Sequence, residues 1–259
     1  MAVTVPRGTD VAVVGGGIVG TSLAWELARR GAGKVTLFER GVVAAGASGR
    51  TGALLRQHYS NRPEATLAWE GYKVFAGWPE IVGGDPVHTP SGLVVTVETG
   101  PGYEANVDRL HRNVALQNAL GIPSRVVSPA ELRELQPGVQ VDDLAAAAYE
   151  PTSGYVDAVA ATRGMARAAE RAGATIREGC PVLAVERVGD RVTGVRTPDG
   201  VVPAGVVVCA AGPWSTRLLA PIGVAAPIEA LRVQVAIVQR PLAMEAPHLV
   251  FLDTVAGMF

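Results

Sequence analysis

The sequence predicts an α/β fold whose nucleus is a parallel sheet, joined to a discontinuous α+β portion with a mixed sheet. Three observations predict the parallel nucleus and the antiparallel strands that follow it. Val11, Ala12, Val13 and Val14 form an unbroken apolar run, the pattern of a strand buried on both faces. A glycine loop, a helical segment and a second apolar run ending in an acid follow directly. Later, Gly189-Asp190 and Asp199-Gly200 punctuate apolar or alternating segments, as turns do between antiparallel strands.

Each element of the first unit has a local cause. Gly15, Gly17 and Gly20 make the pattern G-x-G-x-x-G. The first permits a tight turn, the second lets the backbone approach a pyrophosphate, and the third allows close packing of helix on strand. From Ile18 to Arg30 the positions of Leu23, Trp25, Leu27 and the alanines suit a helix, with Gly31 as a left-handed stop. Its N-terminus, with Ile18 and Val19, then faces bound phosphates. The run KVTLFE reads as a second parallel strand closed by Glu39, whose carboxylate accepts hydrogen bonds from ribose hydroxyls and disfavours a 2′-phosphate. Together these residues predict a Rossmann-like unit for an adenine dinucleotide, with Arg40 beside the acid. They leave NAD and FAD as alternatives, because both carry the ADP moiety.

Composition narrows the function classes. The chain has 259 residues, 48% hydrophobic and 18% charged, with a formal net charge of −1. That balance is ordinary for a globular protein, and without a basic run it argues against nucleic acid and anionic membranes as partners. Two distant cysteines, Cys180 and Cys209, suggest neither a disulfide framework nor a zinc site. Glycines interrupt the first apolar run too early for a signal or spanning segment, so a soluble, cytoplasmic protein is expected.

Beyond Glu39, the stretch RGVVAAGASGRTGALLRQHYS is a small-residue loop with a helix start, where backbone amides and Ser48 suit a second phosphate or a ribityl chain. With the opening unit, GASGRTGALLRQHY resembles a conserved stretch of the D-amino-acid oxidase, glycine oxidase and sarcosine oxidase family of FAD enzymes. Two later segments, GYVDAVAATRGMARAAERAGATIREGCPVLAVE and VVVCAAGPWSTRLLAPIG, resemble the same family in order.

The resemblance implies FAD as cofactor. It also implies oxidation of the C–N bond of a secondary amine or amino acid, with hydride passing to the flavin N5. It places a backbone contact to adenine at Val182, puts Ala211, Gly212 and Trp214 beside the flavin, and adds Arg50 and Thr51 to the cofactor loop. On the residues alone, Val182 reads equally as strand core and Trp214 as a packing aromatic. Arg56, His58 and Arg232 are the local candidates for catalysis. Arg56 matches an arginine near the flavin in sarcosine-oxidase-like sequences, against a structural ion pair, and His58 suits a hydrogen-bonding role as well as a proton shuttle.

By the same resemblance, residues 1–84 and 145–219 form the FAD-binding domain, and 85–144 with 220–259 an incomplete substrate domain. Within these, SGLVVTVET reads as a strand, Glu104 to Leu120 as a helix, and Ser128 with Glu131 as a capping box. Asp157 caps a helix that Gly173 stops, and IEALRVQVAIVQRP reads as a strand. Family members continue past the position of Phe259, so a partner subunit or a further C-terminal segment is expected to complete the site and to cover the apolar tail. Two alternatives stand: a non-catalytic fragment or subunit of a split flavoprotein, and an NAD-dependent dehydrogenase.

Overall fold

The computed structural model describes residues 8–231, 233, 234, 236, 239 and 248–253. The chain begins with β1 (Thr9–Val14), α1 (Ile18–Arg29), β2 (Val35–Phe38), β3 (Leu54–Leu55), α2 (Arg62–Ala76) and α3 (Trp78–Ile81). Next come β4 (His88–Thr89), β5 (Leu93–Glu98), α4 (Glu104–Asn118), β6 (Arg125–Val127), α5 (Pro129–Leu135), β7 (Leu144–Glu150) and β8 (Gly154–Val156). It continues through α6 (Ala158–Arg171), β9 (Thr175–Arg177), β10 (Ala184–Val188), β11 (Arg191–Thr197), β12 (Gly200–Cys209), α7 (Ser215–Leu219) and β13 (Val250–Asp253).

The chain divides into two compact units. The first comprises residues 1–51, 82–84 and 157–235. It is built on a six-stranded sheet of order β10-β11-β12-β1-β2-β9, in which β12, β1, β2 and β9 are parallel and β10, β11 and β12 antiparallel. The apolar run in β1 is buried on both faces as its sequence requires. Val11 and Val13 pack with Ala24 of α1, Ala169 of α6, Val35 and Leu37, while Ala12 and Val14 pack with Phe38, Cys180, Val195 and Val202. Parallel strands need such two-sided cover because their crossover helices lie on the faces. The alanines of α6 allow it to lie against this layer: Ala161, Ala168 and Ala169 are buried. Its start is fixed by Asp157, whose side chain accepts from the Ala160 amide at 2.9 Å, and it ends just before Gly173 at φ +98°.

The second unit comprises residues 52–81, 85–156 and 236–259. Its larger sheet has the order β13-β5-β7-β6, and its smaller one the order β3-β8-β4. The larger sheet is mixed, because β13 runs parallel to β5 while β7 is antiparallel to both of its neighbours. Leu93, Val95, Leu110, Val114 and Leu252 form its core with α4. At α5 the Ser128 side chain accepts from the Glu131 amide, and Glu131 answers by accepting from the Ser128 amide at 2.8 Å. The architecture is thus α/β in the first unit and α+β with a mixed sheet in the second.

Several sequence expectations need correction. Residues 52–81 and 145–156 group with the second unit, not the first, and residues 220–235 with the first, not the second; β3, β4 and β8 pair with one another, and β7 pairs with β5 and β6. The small-residue loop after Glu39 forms only a single 3-10 turn at Ala47–Gly49. Val182 precedes β10 in an irregular stretch. The strand expected over 228–241 is absent from its described residues, of which 228–231 have no regular structure; Arg232 lies outside the described residues. Within the apolar tail the described residues Val250–Asp253 form β13, paired with β5 on one side and at the edge of its sheet on the other, with Leu252 only 2% exposed. Among the described residues no helix is long and apolar enough to cross a membrane.

Candidate functional site: a dinucleotide crevice

The first unit opens a crevice of about 520 Å³ at the C-terminal ends of β1 and β2, the end at which open α/β sheets bind ligands. A depression of about 600 Å³ lies at the other end of β1, around Thr9, Asp10 and Lys34. It has neither the glycine turn nor a helix N-terminus, so we assign it no ligand.

Glycine builds the crevice floor. Gly15 leaves β1 at φ +115°, and a Cβ there would stand 2.4 Å from the carbonyl oxygen of Ala210. A Cβ on Gly20 would stand 1.9 Å from the Gly15 carbonyl oxygen, so the first turn of α1 can sit on the loop only without a side chain. At Gly16 a Cβ would come within 2.9 Å of the Glu39 side chain, and at Gly17 within 3.1 Å of Ser48 Oγ. The N-cap Gly17 contributes no side-chain hydrogen bond, while Ile18 at N1 donates its amide to Ser48 Oγ at 2.9 Å. The positive end of the α1 dipole therefore faces a bare cradle.

Glu39 closes one side. One carboxylate oxygen accepts from Gly16 N at 2.7 Å and the other from Gly41 N at 2.9 Å. These bonds hold the acid on the crevice lining, and each oxygen retains a further lone pair for a sugar hydroxyl. Across the opening, the Arg40 guanidinium lies 4.0 Å from the centroid of the Trp214 ring, so the loop after β2 and the turn after β12 meet by a cation–π contact. The walls carry apolar side chains: Val19 and Leu183 line the crevice and are 61% and 57% exposed, a surface suited to an apolar ring.

Of the residues expected at a cofactor site, Gly15, Gly17, Val19, Glu39, Arg40, Ser48, Val182, Ala211, Gly212 and Trp214 line this crevice together. Ile18, Gly20, Arg50 and Thr51 do not. Ile18 acts through its amide and Gly20 through its missing side chain, whereas Arg50 and Thr51 are exposed just past the 3-10 turn. Sequence reasoning missed Pro181, Leu183, Arg217 and Leu218, which also line it. Arg217 and Leu218 lie within one turn of Trp214 on α7, a proximity that could have flagged them.

The catalytic candidates Arg56 and His58 belong to the second unit. The Arg56 guanidinium lies 4.9 Å from the centroid of the Tyr59 ring and forms no ion pair among the described residues. His58 Nε2 is 3.1 Å from Asn113 Nδ2. Burial, and then the charge of Arg56, push the His58 imidazole down to about 4, so it is neutral at physiological pH. Between them Gln57 is fully buried, with its amide donating to Glu150 Oε2 at 3.0 Å. His88, His111 and His248 join no metal-ligating cluster among the described residues.

A strand, glycine turn, helix and strand-ending acid around one crevice define the dinucleotide-binding class of α/β proteins. Within that class the chain belongs to the DAO family, FAD dependent oxidoreductase, whose sequence model matches residues 10–257. It is 32% identical over 235 residues to human mitochondrial sarcosine dehydrogenase, covering 87% of this chain and 25% of that protein. It is 29% identical over 217 residues to the mouse mitochondrial pyruvate dehydrogenase phosphatase regulatory subunit, covering 84% of this chain and 24% of that one. A solved L-amino acid deaminase from Proteus myxofaciens, in complex with anthranilate, superposes with a TM-score of 0.78 at 29% identity, covering 86% of this chain and 50% of that structure. The chain thus spans about a quarter of the length of these curated relatives. FAD is the family's cofactor, and the residues present fit its ADP half: a glycine cradle without side chains, a carboxylate on the lining and largely apolar walls.

Proposed function

We propose that the chain holds FAD in this crevice and serves the oxidation of the C–N bond of a secondary amine or amino acid of the sarcosine, glycine or D-amino-acid type. The observation that carries the reading is the bare glycine cradle with Glu39 on its lining, in a chain the family matches over residues 10–257. Glu39 takes the ribose hydroxyls, the α1 N-terminus faces the diphosphate, and Trp214 with Val182 and Leu183 encloses the apolar ring systems. When bound, flavin supplies the electron sink, accepting a hydride from substrate carbon at N5.

The chain's own residues then bind and orient. Arg56, a cation without an ion pair among the described residues, receives the substrate carboxylate as a charge-assisted pair. His58, neutral and set against Asn113, adds no charge beside Arg56. Arg232 is a further candidate for the carboxylate.

An anaerobic titration of the FAD-loaded protein with sarcosine, glycine and D-amino acids tests this. Loss of the oxidised flavin's visible absorbance with one of them is expected. A yellow protein that none of them bleaches would instead favour a non-catalytic subunit, the reading to which similarity with a regulatory subunit points.

A further inference from the structure

A buried polar cluster in the second unit is not explained by the fold alone. Gln57, Glu150 and Ser153 are each 0% exposed. Glu150 Oε2 accepts from the Gln57 amide at 3.0 Å and from Ser153 Oγ at 2.7 Å, and Gln57 Nε2 donates to Ser153 Oγ at 3.3 Å. Glu150 lies at the end of β7 opposite Leu93, separated by 93 residues from the segment it holds. An apolar pair of similar volume often costs less to bury than an acid, even a hydrogen-bonded one. Side chains alternate along the segment: Arg56 is half-buried, Gln57 fully buried and His58 half-buried. The one backbone amide fixed by the carboxylate is therefore the one between the two candidate substrate-binding side chains.

We propose that Glu150 is a positioning residue for the carboxylate site at Arg56, locking the Gln57 backbone so that Arg56 and His58 are held in one orientation for an incoming anionic ligand. The proposal rests on the reading of Arg56 as the partner of the substrate carboxylate. The charge pattern agrees with it. Burial raises the Glu150 carboxyl above its ordinary range, outweighing its hydrogen bonds and the field of Arg56. In either protonation state Glu150 keeps an oxygen to accept the Gln57 amide, and the upward direction of its shift lessens its claim on the guanidinium charge.

The test is calorimetric titration of the FAD-loaded protein with anthranilate, the ligand seen with the similar amino acid deaminase. Arg56→Ala probes the underlying reading and is expected to weaken binding by about tenfold or more. Glu150→Ala should weaken binding by about tenfold, while Glu150→Gln, which keeps the acceptor, stays within about threefold of wild type. If Arg56→Ala weakens binding but Glu150→Ala does not, the positioning role is overturned and the Arg56 reading survives. Equal losses in Glu150→Gln and Glu150→Ala also overturn it, because hydrogen-bond geometry would then not be what matters. Undiminished binding in Arg56→Ala, or no binding by the wild type, overturns the Arg56 reading and the inference with it. Should Glu150→Ala fail to fold, Ser153→Ala carries the test: a loss of about threefold with unchanged melting supports the role, and unchanged affinity overturns it.

Discussion

At the scale of single residues, absent side chains decide the crevice as much as present ones. Gly20→Ala would place a Cβ 1.9 Å from a backbone carbonyl, and a backbone atom cannot swing aside as a flexible side chain could. Overpacking of this kind costs about 1–3 kcal/mol or more, and here it falls on the cradle. We expect Gly20→Ala to purify with little or no FAD, read from its visible spectrum, whereas Gly52→Ala, where a Cβ meets nothing within 4 Å, should keep its flavin. His58 gives a pH signature. Its folded value of about 4 lies below the ordinary 6.5, so the unfolded chain binds this proton first as pH falls. Stability from the neutral imidazole is present above pH 6.5 and is lost as pH drops towards 4. The buried Glu150, raised by burial, pulls the opposite way, gaining on acidification. Denaturant midpoints measured across this range should therefore fall less steeply in His58→Gln than in wild type; parallel curves would contradict the burial of His58 as a neutral group.

At the scale of elements, caps and turns explain why much of the fold can be read from local sequence. Asp157 caps α6, and Asp157→Ala should cost about 1 kcal/mol, seen as a lower melting temperature with the flavin spectrum unchanged. The hairpins β10–β11 and β11–β12 form at Gly189-Asp190 and Asp199-Gly200, because those residues adopt turn geometry whatever surrounds them. The unit β1-α1-β2 was legible for the same reason: its glycines, helix and acid interact within about thirty residues. Elements set by long-range pairing were not. β13 gains a partner only because β5 offers it an edge, and the short strands β3, β4 and β8 draw residues 52–81 into the second unit. Nothing in the local pattern of those strands encodes that choice. The crevice shows the same division, with the glycine turn readable and the Arg40–Trp214 contact not. That contact bridges the loop after β2 and the turn after β12, so Trp214→Ala is expected to speed FAD dissociation severalfold without abolishing binding. Stopped-flow release of flavin would measure it, and an unchanged rate would remove the contact from the account.

At the scale of the whole molecule, the two units divide the labour in the chain's own terms. The first supplies backbone amides, an acid, apolar walls and the guanidinium groups of Arg40 and Arg217 on the crevice lining, with the α1 dipole adding to their field. The second supplies a cation, a neutral imidazole and a buried acid. Family membership makes FAD the cofactor; under the proposed reading the first unit holds it and the substrate is a question for the second. Everything said of the second depends on the first being a flavin site, so the deciding measurement is direct: strip the purified chain of nucleotide, titrate it with FAD, and follow quenching of flavin fluorescence beside Glu39→Ala and Gly20→Ala. Saturation at one FAD per chain, weakened in Glu39→Ala and lost in Gly20→Ala, is the expected result. Failure of the wild type to take up FAD, or uptake by Gly20→Ala equal to that of wild type, would contradict the account at its root.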